Sequence, residues 1–178
     1  MKKLSIVIPC YNEEETIYPF LKETQKVERQ MSDELFFDYY FINDGSSDKT
    51  LTVLREAAAR FENVHYLSFS RNFGKEAALL AGLEAVDGDL ITVMDADLQD
   101  PPELLIKMYS KLKQGYDVVG TRRADRKGEP FIRSLFAKTF YWLINKISST
   151  EMVDGARDFR LMTRQVVDSI LKLGEVNR

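Results

Sequence analysis

A chain of 178 residues, 44% apolar and with a formal net charge of -3, is long enough for one domain with a sizeable core and too weakly basic for general nucleic-acid binding. Its single cysteine, Cys10, excludes an internal disulfide and a multi-cysteine zinc site, and is read as a small buried apolar residue. No run approaches the roughly 20 apolar residues of a membrane span, and Met1-Lys2-Lys3 does not open a signal peptide, so a soluble chain is expected.

Along the chain, short apolar runs alternate with amphipathic stretches, the pattern of repeated strand–helix units. Leu4–Pro9 reads as a strand covered on both faces, and Ile17, Phe20, Leu21, Thr24 and Val27 recur at helical spacing. Phe36–Ile42 reads as a second strand. The next helix is capped by Ser47 or Asp48 and carries Leu51, Leu54, Ala58 and Phe61. Val64–Phe69 is a third strand, Glu76–Val86 a helix, and Leu90–Met94 a fourth strand. Asp100-Pro101 is expected to cap and start a helix with Leu104, Leu105, Met108 and Leu112, ended by Gly115. Val118-Val119 marks a short fifth strand. The expected fold is α/β, a mostly parallel sheet with helices on both faces.

Beyond Gly120 the pattern changes. A charged loop over Arg122–Glu129 precedes an amphipathic helix from Phe131 to Ile147, read as packing on the sheet. A polar segment, a short strand at Phe159–Met162 and a helix from Thr163 follow. Basic residues gather from Arg122 to Lys138, including Arg123, Arg126, Lys127 and Arg133. Arg123, Arg126 and Lys127 suit either a solvated loop or an anionic surface. His65, the single histidine, sits in the third strand and is read as structural.

The polar residues cluster where the strands end, and ligands of open parallel sheets bind outside those carboxyl ends. Strand one empties into Tyr11-Asn12-Glu13, strand two into Asp44-Gly45-Ser46, strand three into Arg71-Asn72-Phe73-Gly74-Lys75, and strand four into Asp95-Ala96-Asp97. Two carboxylates spaced i and i+2 in extended chain point the same way and can share a magnesium or manganese ion. Such an ion neutralises charge developing on a departing nucleoside diphosphate. Asp44 fits two readings, an acceptor for the imide of uracil or a turn-forming aspartate. Neither kind of glycine-rich phosphate loop is present, which disfavours dinucleotide dehydrogenases and P-loop ATPases.

Pro9-Cys10-Tyr11-Asn12-Glu13, Asn43-Asp44-Gly45-Ser46, Arg71-Asn72-Phe73-Gly74-Lys75 and the run from Asp95 to Glu103 together resemble family 2 glycosyltransferases. Within that family they resemble the polyprenyl-phosphate branch, which includes dolichol-phosphate mannosyltransferases and bactoprenol glucosyltransferases. The resemblance covers nearly the whole chain. It implies a single GT-A (Rossmann-like) catalytic domain over residues 1–178, with membrane-associated helices to follow in the full-length protein. It also implies an inverting transferase at the cytoplasmic face of the membrane. The sugar would pass from a nucleotide-diphosphate donor, UDP ahead of GDP, to a polyprenyl phosphate.

Carried over residue by residue, Pro9, Tyr11, Glu13 and Asp44 would hold the nucleotide, and Lys75 would approach the diphosphate. Asp95, Asp97 and Gln99 would surround the metal, Asp95 also lying beside the nucleotide. Arg122 and Arg133 correspond to arginines that bind the acceptor phosphate, as guanidinium forks do. The branch tends to carry a serine four residues after the second arginine, where this sequence has Ala137. Asp158 is read either as a general base or as a residue that positions Arg160 or the sugar. A phosphate monoester with a second pKa near ~6 is already an anionic nucleophile at neutral pH, whereas a hydroxyl acceptor needs a base. Two rival readings are transfer to a saccharide or protein hydroxyl, and a non-catalytic nucleotide-sugar-binding module. The sugar and the oligomeric state are not legible.

Overall fold

A computed structural model describes residues 1–122 and 156–172. The chain divides into two compact units, one of Met1–Val119 with Phe159–Arg178 and one of Gly120–Asp158. The first unit contains nearly everything described. The expected helix over 131–147 and the charged loop before it lie outside the described residues.

The described strands are β1 (Lys2–Cys10), β2 (Leu35–Asn43), β3 (Val64–Ser68), β4 (Leu90–Val93), β5 (Val118–Arg122) and β6 (Ala156–Thr163). They form one sheet in the order β3-β2-β1-β4-β6-β5. Strand β1 runs parallel to β2 from Lys2↔Leu35 to Cys10↔Asn43, and parallel to β4 from Leu4↔Leu90 to Val7↔Val93. Strand β3 continues the parallel set beside β2, and β6 is antiparallel to β4. The helices are α1 (Ile17–Met31), α2 (Thr50–Arg60), α3 (Lys75–Ala85), α4 (Leu104–Leu112) and α5 (Arg164–Lys172).

Because side chains alternate along a strand, β1 serves two cores. Leu4, Ile6 and Ile8 pack with Ile17, Phe20 and Leu21 of α1, Leu54 of α2 and Leu105 of α4. Val7 packs on the opposite face with Ala78 and Leu83 of α3 and Val167 of α5. The sheet thus has helices on both faces. Phe20 and Phe41, both fully buried, meet edge to face at 5.9 Å. Burial of each such ring contributes roughly 1.5–3 kcal/mol.

His65 is structural as expected: it lies in β3, with Nε2 2.8 Å from Oδ1 of the buried Asp38. Lys3 Nζ lies 2.8 Å from the other oxygen of Asp38 and 2.6 Å from Asp87. These two carboxylates, Asp38 first, hold the Lys3 ammonium protonated well above the usual lysine range.

Two helix starts differ from expectation. Helix α4 begins at Leu104 rather than at Pro101. Proline disfavours helical backbone at the residue before it, so Pro101 and Pro102 push Asp100 and Pro101 away from the helix. A tight turn precedes α4 instead, with Leu104 N–H donating to Pro101 O and Leu105 N–H to Pro102 O. Helix α2 begins at Thr50 after Lys49, and Asp48 contributes from one position earlier, Oδ1 accepting the Thr50 N–H at 2.9 Å.

Candidate active site

The strand order reverses at β1: β2 lies on one side and β4 on the other. The crevice outside the carboxyl ends at such a reversal is where open α/β sheets bind ligands. A cavity of about 360 Å³ opens there. It is lined by Pro9 near the end of β1, Tyr11 and Glu13 after that strand, Asp44 after β2, Gly74 and Lys75 at the start of α3, and Asp95 and Asp97 after β4.

The wall on the β1 and β2 side is a hydrogen-bonded zip between two loops. Asn12, with φ +57°, takes the left-handed conformation that asparagine tolerates. Its N–H donates to Ser46 Oγ at 3.0 Å, and its Oδ1 accepts the Ser47 N–H at 2.9 Å. Glu13 N–H donates to Thr50 Oγ1 at 2.8 Å, and Glu14 N–H to Asp48 Oδ2 at 3.2 Å. Lys49 N–H returns a bond to Glu14 Oε2 at 2.8 Å. The Glu13 carboxylate accepts the Thr16 hydroxyl at 2.7 Å. Tyr11, about half exposed, stands on the cavity lining. Cys10 is buried, and desolvation first, then the charges of Glu13, Asp95 and Asp48, push its thiol far above its ordinary pKa. It is a packing residue.

The wall on the α3 side is held by Asp44. This buried carboxylate accepts the Phe73 N–H at 2.7 Å and the Gly74 N–H at 2.9 Å. Gly45, at φ +63°, is needed beside it, since a Cβ there would stand 2.2 Å from the Arg71 carbonyl carbon and 2.5 Å from Asn72 N. Of the two readings of Asp44, the structure adds a third role: it anchors the loop that leads to Lys75. Each carboxylate oxygen accepts more than one hydrogen bond, so a ligand remains compatible with that anchorage.

On the β4 side, the strand ends at Val93, and Ala96–Asp97 form a turn followed by Leu98 at φ +58°. The extended chain expected through Asp95 and Asp97 is therefore not found. The turn tucks Ala96 into the core while both carboxylates still line the cavity. Asp97 Oδ1 accepts the Gln99 N–H at 3.1 Å, and Gln99 is exposed, outside the cavity lining. Lys75 Nζ lies 2.8 Å from Asp95 Oδ1 and 3.1 Å from Oδ2.

The donor set fits a magnesium or manganese ion. Asp95 and Asp97 offer hard oxygen donors, and Asp95 already holds a cation, the Lys75 ammonium. Among the described residues no group of three or more His, Cys, Asp or Glu could hold a metal. Magnesium is commonly bound by one or two carboxylates and completed by phosphate oxygens and water.

The structure brings together Pro9, Tyr11, Glu13, Asp44, Lys75, Asp95 and Asp97, all singled out in the sequence. Asn72 and Ala78 also line the cavity and were missed as site residues. Asn72 stood within a motif already noted, and Ala78 carried no signal beyond helical packing. Arg122 ends β5, and Asp158 lies exposed in β6; both belong to the second unit. Arg133 lies outside the described residues. No helix among the described residues is long and apolar enough to cross a membrane.

The fold is that of the GT-A glycosyltransferases. The family model for glycosyl transferase family 2 matches residues 5–171, and the chain belongs to that family. It is 47% identical over 177 residues to CsbB of Bacillus subtilis (strain 168), covering 98% of this chain and 52% of that protein. It is 42% identical over 175 residues to the bactoprenol glucosyl transferase of Shigella phage SfX, covering 98% and 57%. These matches support the polyprenyl-phosphate branch, and the chain spans about half the length of the relatives it matches. Among solved structures, the Mycobacterium tuberculosis glucosyl-3-phosphoglycerate synthase, in complex with Mn2+, UDP and phosphoglyceric acid, superposes with a TM-score of 0.59 at 19% identity. That match covers 93% of this chain and 58% of the synthase, a likeness of fold.

Proposed function

We propose that this chain transfers a hexosyl group from a UDP-sugar to a polyprenyl phosphate, with inversion at the anomeric carbon and with a divalent metal. The observation that carries the proposal is the convergence of Asp44, Lys75, Asp95 and Asp97 on one cavity at the sheet reversal. The 42% identity to a bactoprenol glucosyl transferase supports the acceptor, and a neighbour of like fold that holds UDP with Mn2+ supports donor and metal.

In this reading Tyr11, Glu13 and Asp44 hold the nucleoside, and the start of α3 faces the diphosphate. Unpaired N–H groups and the helix dipole at a helix N-terminus favour phosphate. Asp95 and Asp97 hold the magnesium or manganese ion, which, when bound, neutralises charge on the leaving diphosphate. An oxygen of the acceptor phosphate attacks the anomeric carbon from the face opposite the leaving group. One C–O bond forms, the bond to the diphosphate breaks with its electron pair, and the products are a polyprenyl phosphosugar and UDP. Arg122 and Arg133 orient the acceptor phosphate. That phosphate is dianionic at neutral pH, so Asp158 acts by positioning rather than by taking a proton. The site of action is the cytoplasmic membrane surface, where the acceptor resides.

Calorimetry of UDP binding with and without MnCl2 tests the donor site. Wild-type binding should require the metal, and Asp97→Ala should abolish that requirement together with most of the affinity. Unchanged metal-dependent binding in the variant would refute the assignment. Multiple turnovers on UDP-glucose and polyprenyl phosphate, followed by product analysis, test the reaction itself; UDP and lipid-linked hexose should appear in equal amounts.

A further inference from the structure

We infer that Asn43 is a positioning residue for the nucleotide site: its buried carboxamide orients the Ser46 hydroxyl, which holds the backbone between Tyr11 and Glu13. The inference rests on reading the cavity as the donor site, and it adds a residue that stands outside the cavity lining.

The carboxamide works in two directions. Asn43 ends β2 and is 2% exposed. Its Nδ2 donates to Ser68 Oγ at 2.9 Å, at the end of β3. Its Oδ1 accepts the Ser46 N–H at 3.2 Å and the Ser46 hydroxyl at 2.5 Å. A backbone N–H only donates, so the arm that faces Ser46 is the oxygen, and the amide has one orientation. A hydroxyl carries one hydrogen. With that hydrogen committed to Asn43, the Ser46 oxygen is an acceptor, and it receives the Asn12 N–H at 3.0 Å. Bonds in such a chain polarise and strengthen one another.

The far end of the relay is a turn that shapes the cavity. Asn12 stands at φ +57°, and its neighbours Tyr11 and Glu13 both line the cavity. The turn is held from two sides, by Asn12 N–H on Ser46 Oγ and by Ser47 N–H on Asn12 Oδ1. Without an acceptor at position 43 the Ser46 hydroxyl turns to other partners, and the oxygen that receives Asn12 N–H loses its fixed direction. Tyr11 and Glu13 then spread over several placements. The next residue, Asp44, accepts the Phe73 and Gly74 N–H groups on the α3 side. Two consecutive side chains at the end of β2 therefore secure both walls, Asn43 by relay and Asp44 directly.

The test is calorimetry of UDP binding in MnCl2, at a temperature well below the thermal midpoint of every variant. Asn43→Leu keeps the volume and removes both arms; UDP affinity should fall about tenfold. Asn43→Asp keeps the acceptor that faces Ser46 and should stay within about threefold of wild type. Ser46→Ala leaves Asn43 intact and breaks the relay at its middle, so it should weaken UDP binding about three- to tenfold. Adding Ser46→Ala to Asn43→Leu should cost less than about twofold more, because both act through one contact. Val27→Ala opens a gap at a fully buried position of α1; it should lower the thermal midpoint and leave UDP affinity within about twofold. The role of Asn43 is overturned if Asn43→Leu and Ser46→Ala bind UDP like wild type. It is equally overturned if Asn43→Asp loses as much as Asn43→Leu, or if Val27→Ala reproduces the loss. If the wild-type chain binds no UDP in MnCl2, the donor reading of the cavity fails first and the positioning role falls with it.

Discussion

Gly74 donates its backbone N–H to Asp44 Oδ2 at 2.9 Å across thirty residues of chain. With the adjacent bond from Phe73 N–H at 2.7 Å, the end of β2 grips the loop that delivers Lys75. Asp44→Ala leaves two N–H groups unpaired beside a buried position, which costs about 2–4 kcal/mol. Urea unfolding should register that loss. Asp44→Asn retains one acceptor oxygen and should lose less.

Gly45→Ala separates loop position from the Asp44 carboxylate. The added methyl collides with the Arg71–Asn72 backbone, and a non-glycine residue is strained at φ +63°. The expected cost is about 1–3 kcal/mol in stability. UDP affinity measured by calorimetry should fall about tenfold although every Asp44 atom is retained. An unaffected affinity would show that loop placement does not govern donor binding.

The acceptor assignment stands on Arg122 and Arg133. Either residue changed to Ala should reduce transfer to polyprenyl phosphate by about a hundredfold, the scale of a lost charge-assisted pair, while UDP affinity stays within about twofold. Transfer that survives both changes would move the acceptor phosphate elsewhere.

Glu28 offers a pH test remote from the cavity. Burial pushes its carboxyl above the ordinary range, opposed by hydrogen bonds from the Tyr39 hydroxyl and the Phe37 backbone. A carboxyl raised in the folded state contributes stability that is complete below its unfolded pKa and disappears as pH rises through the folded value. Ionising Glu28 in the folded chain is therefore a cost. Glu28→Gln should raise the thermal midpoint at pH above the ordinary carboxylate range, with the gain vanishing below about pH 4, where the carboxyl is protonated in both states. Calorimetric scans above and below that range check the sign.

The strands were legible because their apolar runs are uninterrupted: Leu4–Pro9 lies within β1 and Phe36–Ile42 within β2. The cavity residues were legible because polar motifs follow those runs directly. Helix α4 was misplaced because the cap signal of Asp100 was weighed without the steric effect of two consecutive prolines. The turn at Asp97 was missed because left-handed Leu98 carries no glycine or asparagine marker. The Asp44 anchorage and the Lys75–Asp95 pair join residues thirty and twenty positions apart. Tertiary contacts of that kind leave no mark in local spacing.

The reciprocal bonds linking Asn12 and Glu14 to Ser46, Ser47, Asp48 and Lys49 have a consequence for protein engineering. Each segment supplies the other's donors and acceptors, so transplanting one alone from a relative would strand polar groups on both. A chimera intended to alter donor preference must exchange the two segments together, as a matched cassette.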